Sequence, residues 1–192
     1  MKLTLDRVHI RPFALSDAEP LRELRVHNRE YFRPYEPARP DSHFTLEFQK
    51  NLIRSCWRDA QKDAGYIFGI FLNDNDRLIG RVSLTAVFRG PWQNANIGYY
   101  LDRRYTGRGF MTEAVRLAAQ FAFTDAGLHR LQGAVMPRNT ASIRVLEKTG
   151  FRYEGLARHY LHIHEIWEDH NIYAMTSEEW DTEARRRIGM IP

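Results

Sequence analysis

The sequence has little cysteine. Cys56 is the only cysteine in 192 residues, so the chain cannot form an internal disulfide, and this fits a reducing compartment. A lone cysteine can also serve as a nucleophile. Cys56, however, continues a series of Phe48, Leu52 and Ala60 at four-residue steps, which predicts one helical stripe. We expect a buried core thiol.

Long apolar runs are also absent. No segment approaches the roughly 18 apolar residues that a membrane-spanning helix needs. The N-terminus lacks the apolar stretch and the small-residue cleavage site of a signal peptide. We therefore expect a soluble, cytoplasmic protein without a membrane partner.

The chain also lacks a large excess of positive or negative charge. The chain has 28 basic and 24 acidic residues and a net charge of +4, which permits contact with RNA but does not by itself indicate it. Three arginines, Arg185 to Arg187, belong to a polar tail. We expect a tail over residues 181–192 and one domain over residues 1–180, because a composition of 43% apolar residues can fill one core.

The first half of the chain predicts a strand, a helical arm and a hairpin. Residues 8–13 alternate apolar and polar positions, and Ser16 to Glu19 form a candidate capping box. The helix that follows is expected to stop before a proline-rich loop over 31–42. A second helix is expected over 45–63, and strands at 66–72 and 78–88 flank a four-residue turn.

The second half predicts a parallel crossover. A strand at 96–101 precedes a basic glycine turn, a helix and a strand at 131–136, so the two strands should run parallel. A short helix is expected from Asn139 to Gly150. Two further strands, 151–153 and 160–175, should close the sheet in antiparallel fashion, with a break over 154–156.

The basic glycine turn is the clearest candidate site. It lies where a strand ends and a helix begins, so free backbone amides and the helix dipole favour an anion there. Gly107 and Gly109 allow close approach to the backbone, and Arg103, Arg104 and Arg108 add positive charge. A plain connecting turn is the alternative. The sequence Gly-Lys-Ser/Thr and a three-glycine dinucleotide motif are both missing here.

Arg104-x-x-Gly107-x-Gly109 resembles the Arg/Gln-x-x-Gly-x-Gly/Ala signature of the Gcn5-related N-acetyltransferases (GNAT). Asn139 to Ser142 and Lys148 to Phe151 resemble later elements of the same superfamily. The likeness is closer to the RimJ-type ribosomal-protein-alanine N-acetyltransferases, for example at Pro34 to Pro37 and Trp167 to His170. It runs from about residue 3 to Trp180.

The resemblance implies an α/β (α+β) fold. This fold is a mixed, mostly antiparallel sheet with a central, splayed parallel strand pair flanked by helices. It implies acetyl-coenzyme A as cosubstrate and no metal. By the same resemblance the cofactor is held by Tyr99, Tyr100, Leu101, Arg104, Gly107, Arg108, Gly109, Phe110, Met111, Thr112, Asn139 and Ser142.

The chemistry implied is direct attack of an amine on the thioester. Positioning of this kind can lower a barrier by roughly 7–11 kcal/mol. Ser142 resembles the serine proposed to protonate the leaving thiolate, although it could simply bond the first turn of its helix. Glu36, Tyr99 and a water chain are the candidates for the base, and Glu36 could equally be a solvated loop carboxylate. Tyr35, Glu36, Tyr160 and His170 are the expected acceptor contacts.

A dense group of potential metal ligands lies near the C-terminus. It comprises His159, His162, His164, Glu165, Asp169 and His170. The spacing is not typical of a zinc site, so we expect no metal and assign these residues to the acceptor groove or the surface.

The resemblance implies that the acceptor is the N-terminal α-amine of a protein, specifically a ribosomal protein that starts with Ala or Ser. Two alternatives remain. The acceptor could be a small-molecule amine, because the fold does not fix the acceptor. The protein could instead act without catalysis, as a ribosome-assembly or RNA-binding factor. The sequence gives no indication of the oligomeric state.

Overall fold

The computed structural model describes residues 1–180, so the predicted tail lies outside the described residues. One eight-stranded sheet in the order β1-β2-β3-β4-β5-β6-β8-β7 forms the centre. The strands are β1 (Leu3–Thr4), β2 (Val8–Pro12), β3 (Gly65–Leu72), β4 (Leu78–Phe88), β5 (Asn94–Leu101), β6 (Arg130–Val135), β7 (Arg152–Ile163) and β8 (Ile166–Thr176). The helices are α1 (Ala18–His27), α2 (Arg29–Phe32), α3 (Leu46–Gln61), α4 (Phe110–Gln120) and α5 (Thr140–Lys148).

The sheet confirms the predicted mixed topology. Every neighbouring pair is antiparallel except β5 and β6, which run parallel and are joined through α4. Their pairing covers only Asn94 to Asn96 against Arg130 to Gln132. Residues 97–101 of β5 therefore have no strand partner on the β6 side, and the two strands splay apart as expected.

Two groups of buried side chains hold the helices on the sheet. The larger one joins α4 and the sheet centre, and includes Ile79, Val82, Leu117 and Leu131. The smaller one places α1 and α3 over β3, and includes Leu21 and Ile53. Both helical layers thus depend on burial of apolar surface, the main favourable contribution to folding. No helix within residues 1–180 combines the length and apolar character needed to cross a membrane.

The start of α1 differs from the prediction. The capping box at Ser16 and Glu19 was wrong, because a 3-10 turn over Leu15–Asp17 precedes the helix. The Asp17 carboxylate accepts from the Ala14 amide at 2.7 Å, while Glu19 pairs with Arg22. The proline-rich stretch also contains short helical turns, Arg33–Tyr35 and Asp41–Phe44.

In α3 the thiol of Cys56 is buried as predicted, but the predicted series of apolar residues is not buried along its whole length. Cys56 is buried, and burial raises its pKa. Phe48 and Ala60 are exposed, and the buried positions are Gln49, Ile53 and Cys56. Four-residue steps rotate by roughly 40° each around a helix of about 3.6 residues per turn, so a long series of them leaves the core.

The expected break over 154–156 was also wrong. Strand β7 continues through this segment, with Gly155 in a bulge at φ +147°. The hairpin turn instead falls at His164 and Glu165, both with positive φ, as tight hairpins require. The glycine marked a bulge rather than a turn.

Candidate active site

The glycine turn has the geometry of an anion site. After β5 ends, a 3-10 turn over Arg103–Tyr105 leads to Gly107 at φ +74° and Gly109 at φ +83°. Gly109 is the N-cap of α4. A Cβ on Gly107 would meet no atom within 4 Å, so the space beside its backbone is open to a ligand. The free amides of the first helical turn face an anion in such a position.

The arginines of the turn have different partners. Arg104 is bound to the buried carboxylate of Asp102, with Nε at 3.1 Å from Oδ1. Burial would raise the pKa of Asp102, but the hydrogen bonds from Arg104 hold it below its usual range. The Arg108 guanidinium lies 4.9 Å from the centre of the Phe110 ring. Asp102 therefore fixes the position of Arg104 and neutralises part of its charge.

Arg7 also belongs to the site, although no sequence pattern indicated it. Its Nε donates to Glu113 at 2.6 Å, and its Nη1 donates to the Arg108 carbonyl at 2.8 Å. Glu113 is buried in the first turn of α4. Arg7 thus fastens the glycine turn to the start of β2. No local spacing could have indicated it, because the contact spans about a hundred residues of sequence.

Two cavities meet beside the turn. The larger, about 500 Å³, extends from Gly107 and Gly109 past Ser142 to Glu36. The smaller, about 220 Å³, fills the space between the diverging β5 and β6 and reaches His170. The residues that line both are Tyr35, Gly98, Tyr99, Asn139 and Ser142.

Most of the predicted site residues line these cavities. The larger contains Tyr35, Glu36, Tyr99, Tyr100, Leu101, Gly107, Gly109, Phe110, Met111, Thr112, Asn139 and Ser142. Three predicted residues, Arg104, Arg108 and Tyr160, do not line either cavity. Tyr160 instead contacts His170, with ring centres 5.5 Å apart.

A hydrogen-bonded pair lies where the cavities meet. The Tyr99 hydroxyl is 3.0 Å from Ser142 Oγ and donates to the Ser142 carbonyl at 3.2 Å. Asn139 caps α5 by accepting from the Ser142 amide. Burial raises the pKa of Tyr99, so its phenol stays protonated at neutral pH. Tyr99 is therefore suited to donate a proton or hydrogen bond rather than to act as a base.

Glu36 lies at the far end of the larger cavity. Its Oε1 accepts from the buried Arg25 at 2.5 Å. Within residues 1–180 the other oxygen, Oε2, has no hydrogen-bond partner. Glu36 is thus fixed in position with one oxygen available to a ligand.

The histidine-rich hairpin contains no obvious metal site. Within the described part of the chain, no three His, Cys, Asp or Glu side chains are grouped to hold an ion. His164 Nε2 lies 2.7 Å from the Arg33 carbonyl, and His170 is buried with Nδ1 at 3.0 Å from the Glu168 carbonyl. The hairpin therefore contacts the loop before Glu36 and reaches the smaller cavity through His170.

Arginines that no sequence pattern indicated also lie around Glu36. Arg39 and Arg81 line the larger cavity, and Arg25 lies behind Glu36. The pKa of the neighbouring His43 is lowered to about 4, mainly by burial and also by the charges of Arg25 and Arg39. This end of the cavity therefore has a positive potential.

The chain is similar in sequence to known acetyltransferases. A family model described as an acetyltransferase (GNAT) domain matches residues 7–152. The chain is 44% identical over 172 residues to the probable N-acetyltransferase YjcK of Bacillus subtilis (strain 168), covering 90% of this chain and 95% of that protein.

Two solved structures are similar over nearly the whole chain. The ribosomal-protein-S5-alanine acetyltransferase from Vibrio fischeri aligns with a TM-score of 0.88 and 30% identity, covering 94% of this chain and 98% of that one. RimJ of Mycobacterium smegmatis, in complex with CoA-disulfide, aligns with a TM-score of 0.83 and 27% identity, covering 93% and 90%.

His43 makes the stability of the fold depend on pH. Its pKa is about 4 in the folded chain and near its ordinary value of about 6.5 when unfolded. Between these values the unfolded chain binds more protons, so stability is complete above pH of about 6.5 and falls as the pH drops towards 4. Between pH of about 7 and 4.5, the free energy of unfolding of the wild type should fall by about 1–3 kcal/mol more than that of His43→Phe. Urea unfolding measures this difference, and equal losses in both proteins would contradict it.

Proposed function

The chain belongs to the GNAT acetyltransferase family, and we propose that it transfers the acetyl group of acetyl-coenzyme A to the N-terminal α-amine of a protein. The observation that carries this proposal is the Tyr99–Ser142 pair, placed where the two cavities meet. A thioester held beside this pair would be reached from the Glu36 end of the larger cavity by an amine.

The cavity residues fit acetyl-coenzyme A. The β6-facing edge of residues 97–101 offers free backbone groups that an extended amide-containing arm can pair with, in the manner of an added strand. The turn at Gly107 and Gly109, with the start of α4 from Phe110 to Thr112, suits a diphosphate. Arg104 and Arg108 supply positive charge beside it. Bound there, the cosubstrate supplies the acetyl group as an activated thioester.

An α-amine is the acceptor that needs least help from the protein. At pH 7, deprotonation to the neutral amine costs about 1–1.4 kcal/mol for an α-amine but about 4.6 kcal/mol for a lysine side chain. Within residues 1–180, Glu36 is the only carboxylate that lines the larger cavity, and Arg25 binds one of its oxygens. A weak base of this kind is sufficient for an α-amine.

Each proton then has a destination. Glu36 Oε2 accepts a hydrogen bond from the incoming ammonium and receives its proton directly or through water. The neutral amine nitrogen bonds to the acetyl carbon, and the carbon–sulfur bond breaks. The nitrogen then releases its second proton to water, and the departing thiolate takes a proton from the Ser142 hydroxyl, which water reprotonates. The protonated Tyr99 holds the Ser142 hydroxyl in place. Tyr35, His170 and, behind it, Tyr160 shape the wall that meets the acceptor.

A ribosomal protein is the proposed acceptor. Support comes from the similarity to the ribosomal-protein-S5-alanine acetyltransferase of Vibrio fischeri, which covers 94% of this chain. An acceptor of this type places the activity in the cytoplasm.

A panel of acceptors tests this function. Incubated with acetyl-coenzyme A, short peptides starting with Ala or Ser should gain the mass of one acetyl group. The same peptides with a blocked N-terminus and an internal lysine should react at least about tenfold more slowly, because their amine is harder to deprotonate. Transfer only to small amines would indicate a small-molecule acceptor instead of a protein N-terminus. Transfer to nothing, with salt-sensitive RNA binding, would favour an RNA-binding role.

Gly107→Val should weaken acetyl-coenzyme A binding by about tenfold or more, because a branched side chain is strained at positive φ and blocks the backbone. Isothermal titration measures the dissociation constant. Gly90→Val is the matched control, since Gly90 also has positive φ and open space beside it but lies outside both cavities. Equal affinity in the two variants would exclude this turn as the diphosphate site.

Ser142→Ala should lower kcat by about tenfold or more, as loss of a proton donor does. Binding of acetyl-coenzyme A should change little, because the Asn139 cap accepts from the backbone amide and survives the change. Steady-state kinetics with saturating acetyl-coenzyme A measure this, and Ser55→Ala on α3 is the control. An unchanged kcat would remove Ser142 from the mechanism.

A further inference from the structure

The Glu36 end of the larger cavity has more positive charge than Glu36 can balance. Arg39 and Arg81 line this part of the cavity, and the buried Arg25 lies directly behind it. Among the described residues, Glu36 is the only acidic residue that lines the cavity. Arg25 already occupies one of its oxygens. A ligand that brought only an ammonium group would therefore enter a site dominated by guanidinium groups.

Arg81 is held in place by its neighbours in the sheet. It lies directly opposite Tyr100 in the register of β4 and β5. Its guanidinium carbon is 4.9 Å from the centre of the Tyr100 ring, and that of Arg25 is 5.0 Å from the same ring. Tyr100 in turn packs on Phe32, with ring centres 5.0 Å apart. Two arginines thus share one aromatic ring in a packed setting.

The two arginines differ in their partners. Arg25 has the carboxylate of Glu36. Across residues 1–180 no carboxylate forms an ion pair with Arg81, and its buried Nε has no hydrogen-bond partner. A partly buried cation without an anion is costly. A carboxylate is the ligand that a guanidinium binds best, through two parallel hydrogen bonds.

We propose that Arg81, assisted by Arg39, binds a carboxylate of the acceptor, so that the enzyme prefers protein N-termini with an acidic side chain close to the α-amine. This inference rests on the proposed function, because it takes the acceptor to be a peptide with a free α-amine. Glu36 then meets the ammonium and Arg81 meets the acid. The acceptor is thus recognised at two points of opposite charge.

Matched peptides test the preference. Each pair starts with Ala and differs only by Glu against Gln at the second, third or fourth position. We expect the Glu peptide of at least one pair to have a kcat/KM about tenfold higher with the wild type, a difference that one charged hydrogen-bonded pair can supply. Arg81→Gln should remove this preference: the ratio of kcat/KM for the Glu peptide to kcat/KM for its Gln partner should fall from about tenfold to about one.

Control variants separate charge from fold. Arg54→Gln removes one positive charge from α3, where Arg54 lies outside the cavity and beside Glu47, and should keep the preference. Arg81→Lys retains the charge without the two-pronged geometry and should keep only part of it. If Arg81→Gln does not fold, Arg81→Lys and the wild type, measured with the same peptide pairs, still show whether the acidic preference exists and depends on Arg81.

The outcomes distinguish this inference from the proposed function. Equal rates for Glu and Gln peptides with the wild type, or a preference that persists in Arg81→Gln, overturn the inference and leave N-terminal acetylation standing. Weaker acetyl-coenzyme A binding in Arg81→Gln, with no change in peptide preference, assigns Arg81 to the donor and also overturns it. If no peptide is acetylated, the proposed function fails. Titration calorimetry with the same pairs then still tests whether Arg81 binds the acidic peptide.

Discussion

The structure depends on the early separation of β5 and β6. The parallel pair is hydrogen-bonded only from Asn94 to Asn96, after which the strands diverge and leave the β6-facing backbone of residues 97–101 without a strand partner. Buried backbone groups need partners, so this edge requires either water or a ligand rich in amides. Gly133 lets the side chain of Leu146 come close to β6, so α5 packs against the divergence. The cavities, the Tyr99–Ser142 pair and the glycine turn all lie along this edge.

The positive charge of the turn is organised by buried acids. Asp102 fixes Arg104, and Glu113 fixes Arg7, which in turn holds the Arg108 carbonyl. Glu113 and Asp102 offset the charges of Arg7 and Arg104, so the attraction for an anion depends more on the open amides at the start of α4 and on Arg108 than the sequence suggested. Arg7 and Arg104 also hold the backbone of the turn in its binding geometry. Arg104, which the sequence predicted to bind the diphosphate, thus also stabilises the turn.

Local patterns predicted most of the fold. Alternation at residues 8–13, the turn between β3 and β4, and the strand-helix-strand crossover each involve neighbours in sequence, and the structure confirmed them. The errors arose where local signals compete. Gly155 is compatible with a turn or a bulge, and only pairing with β8 decides between them. The cap of α1 passed from Ser16 to Asp17 because the chain first makes a 3-10 turn.

The sequence indicated more of the proposed donor site than of the proposed acceptor site. Gly107 and Gly109 precede α4, and Asn139 and Ser142 begin α5, so both sets belong to local motifs that the sequence displays. Of the predicted acceptor contacts, Tyr35, Glu36 and His170 line the cavities and Tyr160 does not. Arg7 contacts Glu113 in α4, and Arg81 contacts Tyr100 on the neighbouring strand. Both contacts join residues far apart in sequence, for which the sequence has no spacing signal.

The two proposed sites differ in this way for a physical reason. The proposed donor site consists of backbone geometry at one turn and one strand edge, and such geometry tolerates few residue types. The proposed acceptor site consists of side chains of α1, of the loop after α2 and of β4, which can change without altering the sheet. Arg25, Arg81 and Glu36 converge there around Tyr100 because Phe32 packs α2 on β5. Under the proposed function, a change in the length or angle of α2 would thus change the acceptor contacts while leaving the donor site in place. One fold can therefore keep its donor and exchange its acceptor.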